Sequence, residues 1–74
     1  MRDMDVIRVD KQILGGTPCF SGTRVPVKSL FDYLDGGHTI EYFLEQFPSV
    51  TREQVHALLD TARKRTEAEA IAQA

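Results

Sequence analysis

The sequence lacks the residues from which several classes of protein are built. It has no tryptophan and only one cysteine among 74 residues. A single cysteine excludes an intrachain disulfide and a cysteine-rich metal site. It contains no apolar run of about 18 residues, the length that a membrane-spanning helix needs. The N-terminal Met-Arg-Asp-Met-Asp also has none of the apolar character of a signal peptide. These absences predict a cytoplasmic protein without a membrane partner.

An excess of positive charge is also missing. Nine lysines and arginines stand against eleven aspartates and glutamates, and the isoelectric point is near 5.5. This balance argues against a strongly basic nucleic-acid-binding protein, although it allows one that concentrates its cations on one face. Because so short a chain forms one small core, we predict a single domain over residues 1–74 that gains stability as a homodimer.

No arrangement of reactive side chains indicates catalysis. A hydrolase needs a nucleophile, a base and an orienting group within mutual reach. The candidates show no diagnostic spacing: Cys19, Ser21, Thr23, His38 and His56. Two histidines 18 residues apart and one cysteine do not match a zinc-ligand pattern, and the glycine-rich segments lack the Gly-Lys-Ser/Thr of a P-loop. We therefore predict no enzyme activity, no metal and no cofactor.

The first third of the chain has the pattern of short strands. Residues 6–9 alternate apolar and polar side chains and predict a first strand. Gly15 and Gly16 suit a tight hairpin turn, because both tolerate positive φ. The turn would join Ile13-Leu14 to Cys19-Phe20 as two further short strands. We predict a β element of this kind over residues 6–25.

A connector leads from this β element into the first helix. Its predicted structural residues are Gly15, Gly16, Gly22, Thr23, Arg24 and Pro26. Gly22 bends the chain, and Pro26 suits the first position of a helix because its φ is preset and it has no amide hydrogen to lose. The Arg24 guanidinium is expected to hold the connector to carbonyls, or to Asp32 or Asp60. Ligand binding by Arg24 is the alternative.

Three helices follow, because the apolar spacing i, i+3, i+4, i+7 occurs three times after Pro26. The predicted helices cover about 26–36, 39–47 and 51–67. Thr39 suits an N-cap, and Thr51 with Gln54 matches a capping box. The fold is therefore predicted to be mainly α, with a small N-terminal β element and a three-helix bundle over 26–67. Residues 68–74 form a tail that frays unless a partner orders it.

Four motifs occur in fixed order and resemble a known family. They are Gly-Gly-Thr-Pro at 15–18, Ser-Gly-Thr-Arg-Val-Pro-Val at 21–27, Gly-Gly-His-Thr at 36–39 and Phe-Pro-Ser-Val-Thr-Arg-Glu-Gln-Val at 47–55. With them, residues 6–64 resemble the bacterial domain-of-unknown-function 433 family. The resemblance implies a homeodomain-like helix-turn-helix body of three helices behind a β element. It also implies an antitoxin that pairs with a toxin similar to PIN-domain ribonucleases.

Two functional hypotheses follow, and both depend on cations of the third helix. DNA binding would use Arg52, His56, Arg63, Lys64 and Arg65. The second helix suits DNA less well, because it exposes Glu41, Glu45 and Gln46, and phosphates repel the two carboxylates. A transcriptional regulator that binds operator DNA without a toxin partner is the alternative function. For Arg63, Lys64 and Arg65, a simple interaction with the helix dipole is an equally good interpretation.

Protein binding is the second hypothesis and the preferred one. The chain is acidic overall and ends in a polar, alanine-rich segment that is able to fold onto another protein. A PIN-like toxin partner, which the resemblance implies, would hold a divalent ion in a ring of carboxylates. Arg63, Lys64 or Arg65 would then enter that ring and block it.

Overall fold

The computed structural model describes residues 6–73, in which a small β-hairpin precedes three helices. Strand β1 (Ile7–Arg8) pairs antiparallel with β2 (Cys19–Phe20). The helices are α1 (Val27–Asp35), α2 (Ile40–Gln46) and α3 (Arg52–Gln73). This order confirms the prediction of a mainly helical fold with a small N-terminal β element. No helix within residues 6–73 combines the length and the apolar character that crossing a membrane requires.

The strand that pairs with β2 differs from the one predicted. Ile7 lies opposite Phe20 in the register, whereas Leu14–Gly16 form a single 3-10 turn. Gly15 and Gly16 have positive φ as expected, but Leu14 also has φ +50, so the backbone is not extended before the glycines. The predicted strand at Ile13-Leu14 was therefore wrong.

A second tight turn follows β2 and leads into α1. The Thr23 amide donates to the Phe20 carbonyl at 3.0 Å, and Gly22 takes φ +77 at the bend. The Thr23 hydroxyl donates to the same carbonyl at 2.8 Å and accepts from the Val25 amide at 3.0 Å. Pro26 is the N-cap of α1, with ψ 140, and not its first helical residue as predicted. Its extended ψ is explained by the bridge that it forms with Cys19.

The helix ends agree with the local sequence signals at four of six positions. Helix α1 ends in a Schellman motif, because Gly37 has φ +88 and the amides of Gly37 and His38 donate to the carbonyls of Leu34 and Tyr33. The Thr39 hydroxyl caps α2 by accepting from the Tyr42 amide at 3.0 Å. Phe47 ends α2 immediately before Pro48.

The capping box at the start of α3 is formed as predicted. The Gln54 amide donates to the Thr51 hydroxyl at 3.1 Å, and the Thr51 amide donates to Oε1 of Gln54 at 3.0 Å. The other end of α3 was predicted wrongly, since the helix continues to Gln73 and does not end near Glu67. Residues 63–73 contain no glycine or proline, and their alanines and glutamates favour the helix.

The core lies between the hairpin and the three helices. It is a cluster of buried apolar side chains: Phe20, Val25, Leu30, Phe43, Val50, Val55 and Leu58. Phe20 and Phe43 are fully buried, with ring centroids 6.2 Å apart. Cys19 is also buried, although it is not part of this cluster, and its thiol donates to the Thr17 carbonyl. Every residue of α3 from Arg63 to Gln73 is exposed, so the helix extends beyond the core.

Candidate interaction surfaces

Arg52 and His56 lie in the first turns of α3, near α2. Arg52 donates to Oε1 of Glu41 at 2.9 Å and so connects the two helices. This hydrogen bond holds the pKa of the Glu41 carboxyl below its usual value. His56 is exposed one turn further along α3. Arg52 is therefore already paired with a carboxylate.

Arg63 and Lys64 are paired with carboxylates of the same helix. Arg63 contacts Asp60 at 2.9 Å and Glu67 at 2.6 Å, while Lys64 contacts Asp60 at 3.0 Å. The hydrogen bond from Arg63 lowers the pKa of Asp60, and the hydrogen bond to Asp60 raises the pKa of Arg63. These pairs follow the i, i+3 and i, i+4 spacing at which helical side chains meet. They reduce the charge available to an external anion.

Arg65 is separated from the other predicted cations by the geometry of the helix. Successive residues rotate by about 100° around an α-helix, so Arg52, His56 and Arg63 lie within a sector of about 40°. Arg65 lies about 140–180° from those three residues. It is exposed and forms no ion pair or hydrogen bond through its side chain within residues 6–73. The five predicted residues therefore do not form one basic face.

The acidic residues of α3 also weaken a general attraction to nucleic acid. The helix carries Arg52, Arg63, Lys64 and Arg65 together with Glu53, Asp60, Glu67 and Glu69. With His56 neutral, the formal charge of α3 is zero. A helix that binds DNA through its phosphates usually carries a clear positive excess.

Arg24 does not make the contacts expected of it. It is exposed and forms no ion pair with Asp32 or Asp60. Asp32 is bound by Lys28 at 2.7 Å, and Asp60 is bound by Arg63 and Lys64. The connector is instead held by Thr23 and by Gln54, whose Nε2 donates to the Ser21 carbonyl at 3.0 Å.

Arg24 lines a cleft that the sequence did not indicate. The cleft has a volume of about 480 Å³ and is lined by Arg8, Ile13, Gly22, Thr23, Arg24 and Ser49. Arg8 comes from β1 and Ser49 from the turn before α3, far from Arg24 in the sequence. Only the pairing of β1 with β2 and the packing of α3 bring them together. No local pattern would have identified this set.

Aromatic side chains form a further group on α1 and α2. The ring of Tyr33 lies 5.5 Å from that of Phe47 and 5.6 Å from that of Phe43, both edge to face. The exposed His38 ring stacks on Tyr42, with centroids 4.8 Å apart. These contacts join the two helices across the Gly36-Gly37 turn. Tyr33 and Tyr42 therefore have a structural role, since their rings make the contacts between these helices.

Comparison with known proteins identifies the family. The model of the family described as "Protein of unknown function (DUF433)" matches residues 7–61. The chain belongs to the DUF433 family. The DUF433 match includes Arg52, His56 and every residue that lines the cleft, whereas Arg63, Lys64 and Arg65 lie beyond it. No group of three or more His, Cys, Asp or Glu side chains within residues 6–73 is arranged to hold a metal.

Two relatives show the extent of the DUF433 likeness. Uncharacterized protein y4eO of Sinorhizobium fredii is 39% identical over 51 residues, which are 69% of this chain and 23% of that protein. The crystal structure of a DUF433 member from Anabaena variabilis superposes with a TM-score of 0.70 at 25% identity. That match covers 86% of this chain and 63% of the other. The chain thus spans about a quarter of the curated relative and under two thirds of the solved one.

Proposed function

We propose that this DUF433 chain is the antitoxin of a type II toxin-antitoxin pair, which binds and neutralises a PIN-like ribonuclease through residues 63–73 of α3. The observation that carries the proposal is the exposed part of that helix. All eleven residues from Arg63 to Gln73 are helical and exposed. A helix of this length without tertiary packing is marginal in water. Packing against a partner would stabilise it.

The composition of this segment favours a charged partner. On the side of α3 that faces the core, the last apolar residue is Ala62. Further along the same side lie Thr66, Glu69 and Gln73, so the exposed segment has no apolar face to bury against its own domain. Ile71 is its one large apolar side chain and is 76% exposed. A coiled coil with a second copy would need apolar residues repeating along the helix. Polar and ionic contacts with a different protein suit the segment better.

Arg65 is the side chain that we expect to contact the nuclease. The active site of a PIN-like enzyme, as the family resemblance implies, is a ring of carboxylates around a divalent ion. A guanidinium binds carboxylates through two parallel hydrogen bonds. Arg63 already holds Asp60 and Glu67, whereas Arg65 holds neither carboxylate nor carbonyl within the described part of the chain. Arg65 is therefore available without breaking an existing pair.

Co-expression with the neighbouring open reading frame tests this function. We expect that reading frame to encode a small PIN-like nuclease, to stop growth when expressed alone and to co-purify with this chain. Arg65→Gln should lose protection, while Lys11→Gln should retain it. Lys11 is a suitable control because it is exposed and unpaired in the described residues, like Arg65. Toxicity that this chain does not change, or equal protection by Arg65→Gln, would contradict the proposal.

Binding to operator DNA is the second candidate function. It is supported by the common sector of α3 that holds Arg52, His56 and Arg63, and by the short turns between the helices. DNA phosphates would have to replace the carboxylates that now pair with Arg52 and Arg63. A homodimer would present that sector twice to a palindrome. The assay is a gel shift with the DNA upstream of the gene at two salt concentrations. A shift that weakens steeply with salt is expected from this function, and the same affinity for unrelated DNA would argue against it.

A further inference from the structure

We propose that the cleft lined by Arg8, Arg24, Gly22 and Ser49 binds a phosphate group. It lies between β1, the turn after β2 and the turn before α3. Its two arginines are 16 residues apart in the sequence but line the same cleft, which has a volume of about 480 Å³. A cleft of this size is within the range of small-ligand sites and admits a nucleotide phosphate. This site does not involve the exposed part of α3.

The protein neutralises the charge of this cleft only in part. Arg24 has no ion pair within residues 6–73. Arg8 lies 3.8 Å from the Asp10 carboxylate, which is longer than a direct hydrogen bond. In contrast, Arg52 and Arg63 contact their carboxylates at 2.9 Å or less. In the cleft, Arg24 has no ion pair within the described residues, and Arg8 has a long ion pair with Asp10 that leaves its hydrogen-bond donors available to an external anion.

The backbone beside Arg24 adds further donors. In the described part of the chain, the amides of Gly22 and Arg24 donate to no protein acceptor. Their turn is fixed, because the Thr23 hydroxyl bonds to Phe20 and Val25 and the Ser21 carbonyl is bonded by Gln54. A loop that is already ordered loses little entropy on binding. The Thr23 amide between them donates to the Phe20 carbonyl, so the turn offers two separate free amides beside Arg24.

A phosphate suits the guanidinium donors of Arg8 and Arg24 better than a carboxylate does. Each of the two guanidinium groups is able to form paired hydrogen bonds with two phosphate oxygens. A single carboxylate carries one charge and would leave one arginine unpaired. The phosphate has two sources, a free nucleotide or the backbone of a nucleic acid. Both present the same group to Arg8 and Arg24, and the experiment below separates them.

The test is an NMR titration of the full chain with inorganic phosphate, then AMP, then a short DNA duplex. We expect phosphate to shift the amide resonances of Gly22 and Arg24 first. Arg24→Gln should weaken phosphate binding at least about tenfold, the loss of one charge-assisted contact. Arg65→Gln is the matched control, since it removes an exposed, unpaired arginine outside the cleft, and it should bind phosphate as the wild type does.

The remaining outcomes decide the ligand or overturn the proposal. Tighter binding of AMP than of phosphate indicates a nucleotide, whereas binding of the duplex that Arg24→Gln abolishes indicates a nucleic-acid backbone. Ser49→Asp is the second variant, because it places a negative charge in the cleft while both arginines remain, and it should also abolish binding. Unchanged phosphate affinity in Arg24→Gln and Ser49→Asp, or shifts spread equally over all exposed cations, would overturn the proposal.

Discussion

The side-chain amide of Gln54 joins the start of α3 to the turn after β2, and its removal is expected to destabilise the domain measurably. Its Oε1 accepts from the Thr51 amide at 3.0 Å, and its Nε2 donates to the Ser21 carbonyl at 3.0 Å. Each hydrogen bond contributes about 0.5–1.5 kcal/mol net. The higher helix propensity of alanine returns a few tenths of a kcal/mol in Gln54→Ala. The free energy of unfolding should therefore fall by about 0.7–2.7 kcal/mol.

Thermal unfolding followed by circular dichroism measures this loss. In a domain of this size, about 0.7–2.7 kcal/mol lowers Tm by about 3–22 °C. Gln54→Glu is the matched control, because a carboxylate still accepts from Thr51 but has no hydrogen to donate to Ser21. It should lose less than Gln54→Ala, since a negative charge in the first turn also favours the helix. A wild-type Tm for Gln54→Ala would refute this account of the junction.

Three further predictions concern the turn, the core and an ion pair. Gly22→Ala should lower the unfolding free energy by about 1–2 kcal/mol, since φ +77 strains any residue with a Cβ; urea unfolding checks this. Phe43→Ala removes a fully buried ring and about 3–5 kcal/mol, so the variant should lose much of its helical circular dichroism at 37 °C. The Glu41 pKa, lowered from 4.5 by Arg52, should rise in Arg52→Gln, as an NMR titration would show. Because the folded-state pKa is the lower one, this pair stabilises the fold above pH 4.5 and is lost as pH falls through the lowered pKa.

The helices could be predicted from the sequence because their signals are local. The spacing of apolar residues located all three helices, and the pairs Thr39-Tyr42 and Thr51-Gln54 formed the caps that short segments of sequence indicate. The end of α3 was missed because no glycine or proline stops the helix after Ala62. In that segment, the high helix propensity of alanine and glutamate favours continuation of the helix to Gln73.

The strand pairing and the cleft could not be predicted in this way. The Gly15-Gly16 pair indicated a hairpin turn, yet β2 pairs with Ile7–Arg8, which lies six residues upstream of the expected partner Ile13-Leu14. Pairing of this kind depends on which apolar side chains fill the core, which no short segment specifies. The same holds for Arg8 and Ser49, which lie near Arg24 only in the folded chain.

The neutralised charge on α3 was visible in the sequence but was not used. Asp60, Arg63 and Glu67 have the i, i+3 and i, i+4 spacing at which side chains on a helix meet. This spacing gives Arg63 two carboxylate partners on its own helix, whereas Arg65 has none within the described residues. The formal charges of a helix therefore need to be examined as pairs before a basic face is inferred.

Hydrogen-deuterium exchange of the chain, alone and with the proposed PIN-like nuclease, tests the central claim most directly. Alone, the amides of residues 63–73 should exchange quickly, because an exposed helix end opens locally without disturbing the core. In the complex those amides should become protected, while exchange at residues 52–56 stays as it was. Unchanged exchange in 63–73 on binding, with protection elsewhere in the chain, would contradict the account.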